Sequence, residues 1–260
     1  SDVTYVIFDL ETTGLYNEYE EIIEFGAVKI KNGVKIDEID RFIKPSKPIP
    51  AKIVELTRIT DQMLEDAKNF KQVFKEILSW IGDAVLIAHN GINFDFRFLN
   101  KKLVENGFEP LKNVMIDTLQ ISRAINKELY RHTLGAICRK NKIEYTDEIA
   151  HRADFDAMVL ASVWNIFQRL LRNQNITTID KINTIQCSEL YSRQFTSFAN
   201  LYVKDQQGIK ELYRIVSNSF TTNLLNTPRV FVDEIEKARQ HLIVTNSPTE
   251  GDVWDTALNG

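Results

Sequence analysis

Two strand-like runs, residues 22–30 and 34–43, stand on either side of Asn32-Gly33. Asn-Gly supplies positive φ at both central positions of a type I′ turn, so the two runs are expected to fold back as an antiparallel hairpin. A third apolar run, 3–10, precedes them, and Pro45, Pro48 and Pro50 end the strand character after them. The pattern then changes. Phe70, Val73, Phe74, Ile77, Leu78 and Ile81 recur at helical spacing and predict a helix over 70–81, closed by Gly82-Asp83. Short strands are expected at 84–88 and 114–116, with helices at 95–104, 118–126, 133–141 and 155–171. Strands first and alternation afterwards predict an α/β fold, a mixed sheet flanked by helices. At 43% hydrophobic residues, the 260-residue chain has enough apolar side chains to fill such a core.

Several function classes drop out. No apolar run approaches the roughly 18 residues that span a bilayer, so no membrane association is expected. No signal-peptide pattern precedes the first strand, and the two cysteines, Cys138 and Cys187, lack metal or redox spacing. Both facts suit a cytoplasmic protein. The net charge of -4 argues against a chain that wraps nucleic acid electrostatically. It leaves room for one that grips only a few terminal nucleotides. After residue 172 the sequence turns polar and rich in Asn and Thr, and three parts are expected: 1–172, a linker at 173–192, and a tail at 193–260. The tail resumes a strand–helix rhythm at 198–203, 208–217, 229–232, 233–239, 242–245 and 252–258. It is too short for a closed α/β barrel, which takes about 250 residues.

The chemistry lies in acids that stand where apolar residues belong. On a strand, Tyr5, Ile7, Asp9 and Glu11 share one side, so two carboxylates end an apolar face just before a Thr12-Thr13-Gly14 turn. In His89-Asn90-Gly91-Ile92-Asn93-Phe94-Asp95, the last residue opens a helix and shares the inward stripe of Leu99 and Leu103. In His151-Arg152-Ala153-Asp154-Phe155-Asp156, Asp154 is the expected helix N-cap. Asp156 begins the core stripe of Leu160, Val163, Trp164, Phe167 and Leu171. Each acid alone has an ordinary explanation as a cap or a helix-dipole partner. Four inward-facing acids from three segments need a common one, because like charges side by side are unfavourable unless neutralised. Two divalent cations, Mg²⁺ or Mn²⁺, provide it and suit phosphodiester hydrolysis. His151, five residues before Asp156, is then a candidate general base.

Phe8-Asp9-Leu10-Glu11-Thr12-Thr13-Gly14, His89 through Asp95, and His151 through Asp156 resemble, in order and spacing, the three motifs of the DnaQ-like, DEDDh-type 3′→5′ exonucleases. The resemblance covers about residues 1–172 and implies an RNase H-like fold. It also implies that Asp9 bridges two metal ions, that Glu11 and Asp156 complete the inner coordination, that Asp95 holds the second ion, and that His151 is the base. Thr12, Thr13 and Gly14 would meet the 3′-terminal sugar, Leu15 would wedge against the terminal base, and Asn90 and Phe94 would line the strand path. Leu56-Thr57-Arg58-Ile59-Thr60 looks like a further family element in which Arg58 replaces the usual glycine. His132 resembles a histidine frequent in the family and reads as structural.

The tail, 201–217 and 229–242, resembles the segment that follows the exonuclease in PolC-type DNA polymerase III, where the exonuclease is inserted into a PHP domain. The tail would then be a partial, PHP-barrel-like α/β segment, and with His241 as its single histidine it is expected to hold no metal. The implied function is metal-dependent 3′→5′ proofreading, releasing nucleoside 5′-monophosphates from single-stranded or frayed DNA ends. The implied partners are that DNA end, the remainder of a polymerase chain, and the replisome. An RNA-trimming, oligoribonuclease-type enzyme and a non-catalytic 3′-end-binding module remain the alternatives.

Overall fold

The computed structural model describes residues 3–126, 128–146, 150–182, 198–224 and 227–246. The chain divides into two compact units, 1–189 and 190–260. In the first, β2 (Ile22–Lys31) pairs antiparallel with both β1 (Thr4–Thr12) and β3 (Val34–Phe42), and β4 (Val85–Ala88) and β5 (Met115–Asp117) add beyond β1 in parallel. The order is β3-β2-β1-β4-β5, the mixed sheet expected. Asn32 and Gly33 take φ of 53° and 79°, as the hairpin requires.

The helices are α1 (Ala51–Thr57), α2 (Phe70–Ile81), α3 (Asp95–Glu105), α4 (Thr118–Ile125), α5 (Leu134–Asn141), α6 (Ala153–Asn173) and α7 (Ile179–Ile182). Helix α2 matches its expected bounds because local signals close both ends. Asn69 and Gln72 form a capping box at its start, and Gly82 caps its end at φ 58°. Helix α1 was not expected, since it is short and sits directly behind three prolines. It ends at Arg58, whose φ of 61° is the left-handed conformation a glycine would take.

The sheet is buried on both faces. Val6, Phe8 and Leu10 of β1 meet α2 (Val73, Phe74, Ile77) and α3 (Phe98, Leu99, Leu103) on one side. Ile7 of β1 and Val28 and Ile30 of β2 meet Leu160, Val163, Trp164 and Phe167 of α6 on the other. Strand alternation thus sends Asp9 and Glu11 to the α6 side. Ile176, Ile179 and Ile182 pack on this same α6 layer, so the first part of the expected linker belongs to the first unit.

Helix α6 starts two residues earlier than expected, and Arg152, not Asp154, is its N-cap. Its first N–H, which has no partner within the helix, is satisfied from outside it: Ala153 N–H donates to Glu24 Oε2 at 2.8 Å. With a carboxylate of β2 already in the capping position, Asp154 falls into the first turn. The helix can come this close because Gly26, the partner of Asp9 across the β1–β2 ladder, has no side chain. A Cβ there would lie 2.1 Å from both Ala153 C and Asp154 N.

In the second unit, β6 (Ala199–Val203) and β7 (Leu242–Asn246) pair antiparallel, beside α8 (Gln206–Phe220) and α9 (Val232–Ala238). Ile215, Ala238 and Leu242 are its buried core. The strand expected at 229–232 does not form. Val232 instead opens α9, with Asp233 and Glu234 in the helix's first turn, where its dipole favours acids. The two strands run antiparallel, whereas those of an α/β barrel are parallel. The expected helix at 252–258 and Cys187 lie outside the described residues. Among the described residues no helix is long and apolar enough to cross a membrane.

Gly26→Ala should destabilise the first unit by about 1–3 kcal/mol, the usual cost of overpacking, because backbone rather than a side-chain tip stands in the way. Urea denaturation measures it; a midpoint equal to the parent's would contradict the close approach.

Candidate active site

The sequence-expected site residues meet at one end of the sheet, where β1, β4 and β5 reach their carboxyl ends. Asp9 is half-buried, while Glu11, Asp95 and Asp156 are 8%, 3% and 6% exposed. Glu11, His151 and Asp156 each offer a ligand atom, and these three atoms lie within 4.8 Å of one another. Asp9 feels Asp95, Glu11 and Asp156, which links Asp95 to the group. Helix α3 brings Asp95 in from the opposite face of the sheet, where the Leu10 backbone next to Asp9 favours its charged form. His151 sits exposed on the loop before α6 at φ 64°. Its N–H donates to Asp156 Oδ2 at 3.2 Å. Strained backbone of this kind persists where the surroundings impose it.

A bulge between Glu11 and Thr12 shifts the β1–β2 register just after the two acids. Thr13 Oγ1 donates to Glu20 Oε2 at 2.5 Å and accepts the Glu21 N–H at 2.9 Å. Thr12 Oγ1 donates to Gly14 O at 2.7 Å. Both threonines are buried and their turn is tied down, whereas Leu15 is 77% exposed beyond it. Asn90, at φ 63°, and Phe94 are half-buried on the loop leading to Asp95.

Several supporting residues were not legible as such. Glu24, fully buried on β2, lies directly opposite Glu11. Arg152 neutralises it with two nitrogens, Nη2 at 2.7 Å and Nε at 3.0 Å from Oε1. A lone acid inside the apolar run Ile22-Ile23-Glu24-Phe25 was the available signal. Asp117 Oδ1 accepts the N–H groups of Asn90 (2.9 Å) and Leu119 (2.8 Å), which fixes the loop before Asp95 and caps α4. His89 Nε2 donates to His132 O at 2.8 Å, and its Nδ1 pairs with Thr118 Oγ1 at 3.0 Å. Burial lowers its pKa, which keeps this brace neutral. His132, buried, pairs with Ser122 Oγ at 2.9 Å and is structural. Tyr145 stands beside Asp156 with its ring stacked on Phe155.

The acids repel one another. Burial, followed by the charges of Asp95, Glu11, Asp156 and Glu24, holds the Asp9 carboxyl well above the usual range. Burial and the Asp156 and Glu24 carboxylates push Glu11 up to about 8. Burial raises Asp95 to about 7, opposed by its own backbone and that of Leu10. Asp156 rises through burial, opposed by Tyr145 and the His151 N–H. Asp156 Oδ1 is buried without a hydrogen-bond partner among the described residues. Arg152, the cation at hand, is committed to Glu24. An oxygen-rich donor set with an orphaned carboxylate oxygen and uncompensated charge fits a hard divalent cation.

The sequence pattern of the Exonuclease family matches residues 6–164. The chain belongs to the exonuclease family. It is 45% identical over 255 residues to the DNA polymerase III PolC-type of Ureaplasma parvum and 42% identical over 262 residues to that of Mycoplasma genitalium. These alignments cover 97% and 99% of this chain and 18% of each relative. The chain therefore spans under a fifth of those proteins. Among solved structures, E. coli Exonuclease I in complex with a dT13 oligonucleotide superposes with a TM-score of 0.63 at 15% identity, covering 98% of this chain and 68% of that one. The family match includes all five acid and histidine positions of the site.

A carboxyl group whose folded pKa is raised contributes stability that is complete below its unfolded pKa, near 4, and is lost as pH rises through the folded value. For this exonuclease in chelator, the loss runs through about 7 for Asp95 and about 8 for Glu11. Calorimetry should therefore show the melting temperature falling between about pH 5.5 and pH 8.5, with Mn²⁺ restoring it most at the higher pH. A metal-induced shift equal at both pH values would contradict this charge balance.

Proposed function

We propose that this chain is a metal-dependent 3′→5′ exonuclease that releases nucleoside 5′-monophosphates from single-stranded or frayed DNA ends. In this reading it is the proofreading activity of a PolC-type DNA polymerase III. The observation that carries the reading is the convergence of Asp9, Glu11, Asp95 and Asp156 with His151 at one sheet end. The PolC-type relatives support DNA over RNA as the substrate, and the remainder of such a polymerase and its replisome are the expected partners.

Asp9, Glu11, Asp95 and Asp156 would together hold two cations, Mg²⁺ or Mn²⁺. Bound there, they would supply the positive charge that polarises the phosphodiester and offsets the charge of its transition state. The chain's own groups do the rest. His151 lies on an exposed loop beside Glu11 and Asp156, so its imidazole can take the proton of the attacking water and pass it to solvent. As the water oxygen bonds to phosphorus, the bond to the 3′ oxygen breaks, and that oxygen takes a proton from solvent to become a new 3′ hydroxyl. Thr12, Thr13 and the Gly14 backbone form a tied-down turn suited to the terminal sugar. Leu15, 77% exposed beyond that turn, would meet the terminal base, and Asn90 and Phe94 would border the path of the strand.

Asp9→Ala should abolish nearly all nucleotide release from 3′-labelled single-stranded DNA while leaving end binding at least partly intact. Undiminished cleavage would sink the mechanism. His151→Ala should lower turnover by about 10²–10⁴, the usual worth of a general base. DNA should be preferred over RNA of the same sequence; a wide preference for RNA would replace proofreading with RNA trimming.

A further inference from the structure

The turn joining β1 to β2 exposes two aromatic rings that the catalytic chemistry does not use. Tyr16 and Tyr19 are 68% and 77% exposed. Large rings left in water forgo the stabilisation that burial brings. Nor is the turn loose. The N–H groups of Tyr19 and Glu20 both donate to Tyr16 O, at 3.1 and 3.0 Å. Thr13 N–H donates to Glu21 O at 2.8 Å, and its hydroxyl engages Glu20 and the Glu21 N–H. The rings therefore stand on a braced segment that starts directly beyond the Glu11-Thr12-Thr13 end of β1.

The same segment carries Glu18, Glu20 and Glu21, within a chain of net charge -4. These acids weaken phosphate attraction at this segment. Base stacking adds affinity that does not depend on base identity, since every base offers a π-face. In a duplex those faces are covered by neighbouring bases, whereas an unpaired end leaves them open.

We propose that Tyr16 and Tyr19 form a stacking platform for unpaired bases of the strand whose 3′ end enters the carboxylate site. The proposal rests on the nuclease reading above and adds to it a means of choosing unpaired over paired ends. The platform is indifferent to base identity and engages bases rather than backbone.

The test measures binding apart from hydrolysis. With the 260-residue chain in chelator, fluorescence anisotropy of an end-labelled oligothymidylate should show Tyr16→Ala and Tyr19→Ala each weakening Kd by about 5- to 150-fold, the usual worth of one stacked base. Tyr16→Phe and Tyr19→Phe, which keep the ring, should bind within about threefold of the parent. With Mn²⁺, the alanine variants should lose kcat/KM through KM on single-stranded DNA. Unchanged binding in the Tyr16→Ala/Tyr19→Ala double variant overturns the platform, as do phenylalanine variants as weak as the alanine ones. Tyrosine-dependent binding by a parent that releases no nucleotide with Mn²⁺ supports the platform and overturns the hydrolytic reading alone.

Discussion

The docking of the α6 N-terminus onto β2 is the contact on which the rest of the site depends. Gly26 leaves room for the helix backbone to reach the strand. Glu24 then caps the helix through Ala153 N–H and binds the Arg152 guanidinium, so one fully buried carboxylate fixes both the position and the direction of α6. His151 and Asp156 flank this anchor, and its placement sets their distance from Asp9 and Glu11. A buried ion pair contributes little net stability, but removing one partner strands a buried charge. Its worth here is positional.

That anchor holds together a group of acids that would otherwise separate. Repulsion and burial raise the Asp9, Glu11, Asp95 and Asp156 carboxyls, so packing from both faces of the sheet must oppose them. Asp95 comes from the α2–α3 side and Asp156 from the α6 side, and neither hydrophobic layer alone could bring all four together. Charge that the fold keeps uncompensated is what a divalent cation would neutralise. Affinity for a cation and instability without one would thus share one cause.

Most of the first unit was legible because its signals are local. Asn32-Gly33 specified a hairpin, the 70–81 apolar stripe specified a helix with its own capping box, and strand alternation put Asp9 and Glu11 on one side. The misses also share a cause. Asp154 has the right residue type for an N-cap, yet Glu24, 130 residues earlier in the chain, takes that role. Helix α1 lies behind prolines that read as a sheet ending. Asp117 and His89 act through partners far along the chain, which no spacing rule connects. In the tail, a strand-like 229–232 gave way to a helix start favoured by the acids that follow it.

The sequence by itself determined the residue types and their order: which strands pair first, which acids face inward, and the three motifs that mark the exonuclease family. Those properties depend on neighbours a few positions apart, so local spacing encodes them. Only the tertiary structure decided that the acids meet, that Glu24 and Arg152 hold α6 to β2, and that Tyr16 and Tyr19 stay in water beside the site. Those outcomes depend on how two hydrophobic layers close over one sheet, a balance of burial and repulsion that no single segment carries.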